Sequence, residues 1–338
     1  MPRRLVFGLL LLLAACTLRY APPAGAPVDE HSAHMSAADR AAPAPSVPSS
    51  ETSSQGVQGL PASNVNAAAR LAASPRHGEW VKIALEAGSA DTVMAWVVYP
   101  ASARKAPVVV VVHEIFGLST WVRGVADQAA ADGFIAIAPD FLSRVRGGPT
   151  SIELTGDSAR RLIGGVNSTE RNRIITAAAN WAMIQPAATQ KYAVIGYCWG
   201  GSTTFMHAVN GGVTGFSGGV AFYGLPYTSG GRAATATEPA VPATLVADSL
   251  AKIKVPVMLL NGSKDARIAA AMPALDSIMK SLGKTYTGMN YEGAVHGFLR
   301  AQDDPKATRD EAEEQANLAA AKDAWPKTVA FLKKQLGI

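Results

Sequence analysis

Two cysteines occur in the 338-residue chain, and one stands at the centre of Gly196-Tyr197-Cys198-Trp199-Gly200, directly after the apolar run AVIGY. G-x-C-x-G at a strand-to-helix junction has the form of a nucleophile elbow with cysteine in the place of serine. Glycines two residues to either side leave room where a Cβ would collide in so sharp a turn, and they permit the strained backbone that displays the nucleophile. A helix starting at the cysteine directs its free N–H groups and positive end at the sulfur, which favours an anionic nucleophile. The competing reading of the pentapeptide is a buried, inert cysteine in an ordinary strand-to-helix turn.

Three further apolar runs end in residues that complete a reaction. VPVMLLNGSKD places Asp265 just past a strand end, and EGAVHGF places His296 in a loop after the next run. The order nucleophile, acid, histidine is that of the α/β-hydrolases: His296 takes the thiol proton and later serves the leaving group, and Asp265 holds its tautomer. The fourth end is His113-Glu114-Ile115-Phe116-Gly117 after Val108–Val112. The amides of Ile115 and Trp199 then become the expected oxyanion-hole donors. Glu114 is a carboxylate that could accept a thiol proton from an apolar site, or a surface residue paired with a lysine or arginine. Taken singly, a histidine after a strand is commonly structural and an aspartate in a G-x-x-D turn is commonly a cap. His113 and Glu114 offer no metal site, because adjacent strand residues face opposite ways and no further ligands stand at metal spacing. His207 is read as packing.

These residues need a scaffold that brings strand ends together. EWVKIAL and TVMAWVVYP suggest an antiparallel strand pair, and five consecutive valines suggest a strand covered on both faces. Helical stretches at about 121–132, 152–183 and 269–282 alternate with the runs GFIAIAPDF, YAVIGY, GGVAFYG, VPVMLLNG and YTGMNYEG. The C-terminal WPKTVAFLKKQLGI reads as a closing helix with Pro326 in its first turn. Alternating strands and helices imply an α/β fold: a doubly wound, mostly parallel sheet with helices on both faces, preceded by the hairpin. Chemistry in such sheets sits at the carboxyl ends of the strands. No internal repeat is evident.

The start, MPRRLVFGLLLLLAAC, has two arginines, a short apolar stretch and small residues before Cys16, the pattern of an export signal. Leu13-Ala14-Ala15-Cys16 resembles a bacterial lipobox, which makes Cys16 the expected lipidation site and the cell envelope the expected location. The expected organisation is a signal peptide over 1–15, a disordered Ala/Pro/Ser-rich tether over 16–75 and a hydrolase domain over 76–338. His31 and His34 in the tether lack companion ligands. With Cys16 acylated, Cys198 is a solitary thiol in a compartment where disulfides form. The chain carries 31 basic and 26 acidic residues, or 29 against 26 once Arg3 and Arg4 leave with the leader, a balance that argues against nucleic acid as a partner.

HEIFGL (113–118), PDF (139–141), GYCWGG (196–201), FYG (222–224), NGSKD (261–265) and HGFLR (296–300) together resemble the dienelactone hydrolase family. The resemblance implies an α/β-hydrolase fold, no cofactor, a Cys198–Asp265–His296 triad, Glu114 contacting the thiol, and hydrolysis of a small ester or lactone through an acyl-enzyme. It also implies that Arg300 grips a substrate carboxylate and that Tyr223 lies at the site; Arg144, Arg160 and Arg161 are candidates for a second gripping arginine by region only. The leader, the tether and a likeness to an insertion over 225–254, which could act as a lid, depart from the family pattern. A broad-specificity envelope esterase or thioesterase, and a non-catalytic binding module on a hydrolase fold, are the alternative readings.

Overall fold

The computed structural model describes residues 56–338 apart from 151–153, 155, 231–243 and 305. The leader, Cys16, His31, His34 and residues 231–243 of the expected 225–254 insertion lie outside the described residues. No described helix is long and apolar enough to cross a membrane.

Residues 56–75 were expected in the tether, and here the reading is corrected. They fold onto the domain, with Leu60, Ala62 and Ala67 buried and α1 (Ala67–Ala72) packed on the hydrolase body. Arg70 donates to the Leu60 carbonyl at 2.8 Å and to Gln128 at 3.1 Å, while the Gln302 amide donates to the Pro61 carbonyl at 3.0 Å. The physical reason is side-chain size: alanines let two backbones approach closely, and a Cβ on Gly124 would lie 3.0 Å from that of Ala62. Composition made this stretch look unable to bury surface, yet small residues pack well when a complementary groove exists.

The hairpin is present: β1 (Gly78–Ala84) pairs antiparallel with β2 (Thr92–Val98), and Trp80 faces Trp96 with the rings edge to face at 5.7 Å. β3 (Ala106–Val112) is buried along its whole length, as the valine run requires of a central strand. Ser119 caps α2 (Thr120–Ala131), which leads to β4 (Ile135–Pro139). Short α3 (Ser143–Arg146) and α4 (Gly156–Ile163) precede α5 (Ser168–Met183), whose cap is Asn167. Then come β5 (Ala188–Tyr197), α6 (Trp199–Asn210) and β6 (Phe216–Phe222). Outside the main sheet, β7 (Thr228–Ser229) pairs with β8 (Thr244–Leu245), and α7 (Ala247–Leu250) follows. β9 (Val257–Gly262), α8 (Ala266–Ser281), β10 (Tyr286–Tyr291), α9 (Phe298–Ala301) and α10 (Glu311–Leu336) complete the chain.

The eight-stranded sheet runs β1-β2-β4-β3-β5-β6-β9-β10, antiparallel at β1/β2 and β2/β4 and parallel from there on. Its order reverses at β3: the chain moves outward to β4, then returns to the other side of β3 as β5. A crevice opens at such a switch point, beyond the strands' carboxyl ends.

Pro326 requires a second correction. It lies well inside α10, which begins at Glu311 and is capped by Asp310, whose carboxylate accepts from the Glu313 amide at 2.8 Å. Glu311, Glu313 and Glu314 in the first turn suit the positive end of the helix dipole and mark the true start.

Candidate active site

Cys198 sits between β5 and α6 with φ 56° and ψ −115°. Among the described residues, Cys198 and Tyr223 are the only non-glycine residues with positive φ, and the Tyr223 ring lies beside that of His296 with centroids 4.9 Å apart and planes tilted by 56°. The strain at Cys198 is held from both sides: its amide donates to the Phe222 carbonyl at 3.0 Å, and its carbonyl accepts from the Ser202 amide at 3.1 Å. The glycine spacing is required by contact. A Cβ on Gly196 would stand 1.9 Å from the Gly200 oxygen, and one on Gly200 would stand 2.3 Å from the Val112 oxygen. The thiol is free and sheltered, with the residue 4% exposed.

The structure brings Asp265 and His296 together. Asp265 is the N-cap of α8; its Oδ1 accepts from the Ile268 amide at 3.3 Å while its Oδ2 lies 2.6 Å from His296 Nδ1. One carboxylate therefore closes a helix and orients an imidazole. Burial alone would raise the Asp265 pKa, but the hydrogen bond and charge of His296, helped by Arg267, outweigh it and hold the carboxyl below its ordinary value. Burial likewise works against the charged form of His296. The Cys198 sulfur and the Asp265 carboxylate overcome that penalty and keep the imidazole pKa well above the usual histidine value. His296 Nε2 is buried and makes no hydrogen bond in the structure.

Glu114 is buried at the end of β3, so the surface alternative is excluded, but its partner is indeed an arginine. Arg300 Nε lies 2.9 Å from Glu114 Oε2. No hydrogen bond joins Glu114 to Cys198 among the described residues. Arg300, on α9 four residues after His296, lies against Glu114, which matches its charge. Tyr223 is fully buried with a hydroxyl that lacks a hydrogen-bond partner, and burial together with the Glu114 charge pushes its pKa well above the ordinary phenol value.

The other arginines are placed elsewhere. Arg144 binds Asp91 at 2.7 Å and pairs with Glu170, tying α3 and α5 to the hairpin turn. Arg160 pairs with Asp157 at 3.1 Å, and Arg161 donates to Ser158. Sequence reasoning missed Arg171, whose guanidinium lies 4.3 Å from the Trp199 ring centroid beside the nucleophile. It also missed Tyr197, whose buried hydroxyl lacks a partner and whose pKa is raised by burial and by Glu114. Nothing in the spacing marks Arg171, whereas Tyr197 is the variable residue of the elbow itself. His207 is structural as expected: its ring lies 2.8 Å from the Tyr192 hydroxyl and 2.7 Å from Asn172 Oδ1, and burial lowers its pKa to about 3. Among the described residues no group of three or more His, Cys, Asp or Glu side chains could hold a metal ion.

Comparison with known proteins places the chain in a family. Residues 93–336 match the model of the dienelactone hydrolase family. A protein of Methylorubrum extorquens provisionally named as a carboxymethylenebutenolidase is 27% identical over 220 residues, covering 64% of this chain and 71% of the relative. A protein of Synechocystis sp. with the same provisional name is 27% identical over 256 residues, covering 72% of this chain and 92% of that one. Among solved structures, a protein of Klebsiella pneumoniae provisionally described as a dienelactone hydrolase superposes with TM-score 0.59 at 22% identity, over 76% of this chain and 99% of its own. The dienelactone hydrolase-like promiscuous phosphotriesterase P91, from metagenomic libraries, gives TM-score 0.58 at 21% identity, over 76% and 98%. The chain belongs to the dienelactone hydrolase family, hydrolases built on the α/β-hydrolase fold.

Proposed function

We propose that the chain hydrolyses a small carboxylic ester or lactone through Cys198, His296 and Asp265, by way of an acyl-enzyme. The observation that carries this reading is the pair His296–Asp265 at 2.6 Å with its second nitrogen uncommitted beside a strained, glycine-flanked cysteine. The sulfur adds to the substrate carbonyl as His296 holds the thiol proton. The carbonyl oxygen becomes an oxyanion received by the Ile115 and Trp199 amides. Collapse expels the alcohol, which takes the proton from His296, and leaves a thioester on Cys198. Water then attacks the thioester with His296 as base, releasing the acid and restoring the thiol.

Neither the Ile115 nor the Trp199 amide is engaged by an acceptor among the described residues, although both residues are buried. Amides on buried residues that have no protein acceptor are available to a substrate oxygen, which supports a binding role.

The Glu114–Arg300 pair favours the broader esterase reading in one respect. A substrate carboxylate must share or displace Glu114 to reach Arg300, whereas a neutral ester meets no such competition. The lipobox-like leader supports a lipid anchor at the cell envelope, which we include in the proposal.

The test is turnover of short aryl esters and of dienelactone by the full chain and by Cys198→Ala. The reading predicts loss of turnover in the variant, and equal turnover in both refutes it. Arg300→Ala raises KM for anionic substrates selectively if the arginine grips a carboxylate.

A further inference from the structure

His113, directly after the central strand, is fully buried. Its ring is committed at both nitrogens. The Phe141 amide lies 3.0 Å from Nε2, and an amide can only donate, so Nε2 is the acceptor and the ring proton sits on Nδ1. Nδ1–H then donates to the carbonyl of Glu114 at 2.5 Å. The imidazole thus ties the end of β3 to the residue after Asp140 and fixes one carbonyl in space.

That carbonyl shares a peptide plane with the amide of Ile115. In a trans peptide the C=O and N–H of one unit point in opposite directions, so fixing the Glu114 oxygen also fixes the Ile115 N–H. The ring braces the second amide as well. It stacks on the Trp199 indole with centroids 5.9 Å apart and planes 13° from parallel, and Phe141 meets both rings edge-on at 5.2 Å. Behind them β3 abuts α6 so closely that a Cβ on Gly200 would stand 2.6 Å from the His113 oxygen. Both uncommitted amides are therefore set by one side chain.

We infer that His113 is a positioning residue of the oxyanion hole: its Nδ1–H holds the Glu114 carbonyl so that the Ile115 amide faces the substrate oxygen, and its ring face sets the Trp199 peptide. The inference rests on the proposed acyl-enzyme reading, because it gives those two amides their purpose.

The two amide side chains separate the two halves of the contact. Asparagine places a donor where Nδ1 sits but cannot reach the Phe141 amide, whereas glutamine places an acceptor where Nε2 sits but loses the Glu114 carbonyl. His113→Gln therefore lowers kcat by about 10–100-fold with KM nearly unchanged, less than deletion of a hole donor because the amide is misaimed and not removed. His113→Asn, which keeps the donor to the Glu114 carbonyl but loses the ring face, loses severalfold less kcat than His113→Gln and melts at lower temperature. Matched ester and thionoester substrates give the readout that a merely structural role would not move. Sulfur accepts hydrogen bonds poorly, so the ester's advantage in kcat/KM shrinks more in the glutamine variant than in the asparagine variant.

Wild-type kcat in a folded His113→Gln variant, or equal losses in both variants with the ester/thionoester ratio intact, overturns the inference. Should the glutamine variant fail to fold, a folded His113→Asn variant whose kcat falls by about 100-fold or more, as on deletion of a hole donor, overturns it alone. The parent reading is scored separately. An inactive Cys198→Ala beside a fully active His113→Gln removes only this inference, and an active Cys198→Ala removes both.

Discussion

Asp265→Asn is the most informative single change at the site, because the structure gives this carboxylate two separable duties. Oδ1 caps α8 through the Ile268 amide, and an asparagine oxygen can do the same. Oδ2, 2.6 Å from His296 Nδ1, requires a proton on that nitrogen, and an amide donor in its place requires a lone pair. The imidazole then adopts the other tautomer, with its proton on Nε2, the atom that must accept the thiol proton. Loss of the correct tautomer in triads of this kind costs on the order of 10³-fold or more in kcat. That loss corresponds to about 4 kcal/mol at 1.36 kcal/mol per tenfold. Asp265→Ala should lose as much activity and about 1 kcal/mol of stability besides, since the cap goes too. Steady-state turnover of an aryl ester, with urea titration of the same preparations, measures both quantities. A kcat for Asp265→Asn within tenfold of wild type, from a protein of unchanged stability, would refute the assignment of this carboxylate.

Further outcomes follow from the same contacts. Cys198→Ala removes the sulfur that, after burial, most strongly affects His296 and favours its charged form, so the imidazole pKa falls in an NMR titration, and an unchanged value contradicts the pairing. Because the folded-state pKa of His296 is raised, its contribution to stability is fully present below ~6.5 and is lost as pH rises through the folded value; the alanine variant moves that loss to lower pH. His207 behaves oppositely: with its folded pKa near 3 the unfolded chain binds the proton first, so stability falls on acidification below ~6.5. By pH 5 this amounts to about 2 kcal/mol, read as the wild-type loss minus that of His207→Gln in paired urea titrations; equal losses would count against it. Gly196→Ala places a methyl 1.9 Å from the Gly200 oxygen and should leave no soluble folded protein, whereas a folded, active variant would show that the elbow tolerates another backbone.

The proposed reacting groups were legible because each stands at the end of an apolar run, beside glycines or a turn that local sequence reveals. Doubly wound topology then supplied their convergence, since strands buried on both faces must lie centrally and share one carboxyl edge. Arg171 was illegible because its relation to Trp199 depends on how α5 lies across α6, a tertiary fact with no local signature. Residues 56–75 were misread for a related cause: alanine-rich chain looks unable to bury surface until a groove such as that at Gly124 admits it. At Pro326 a helix-start rule prevailed over the acidic first turn at Glu311–Glu314, which carried the better signal. His113 was seen but not understood, since its role requires the positions of Phe141 and Trp199.

The account's central claim is that the Cys198 sulfur carries the acyl group between two half-reactions. Mixing the full chain with a p-nitrophenyl ester, quenching within the first turnover and weighing the intact protein tests it directly. A nitrophenolate burst together with one acyl increment, mapped to the peptide containing Cys198 and absent from Cys198→Ala, is the predicted result. Steady turnover with no burst and no acylated Cys198, even when deacylation is slowed by a bulkier acid, would contradict it.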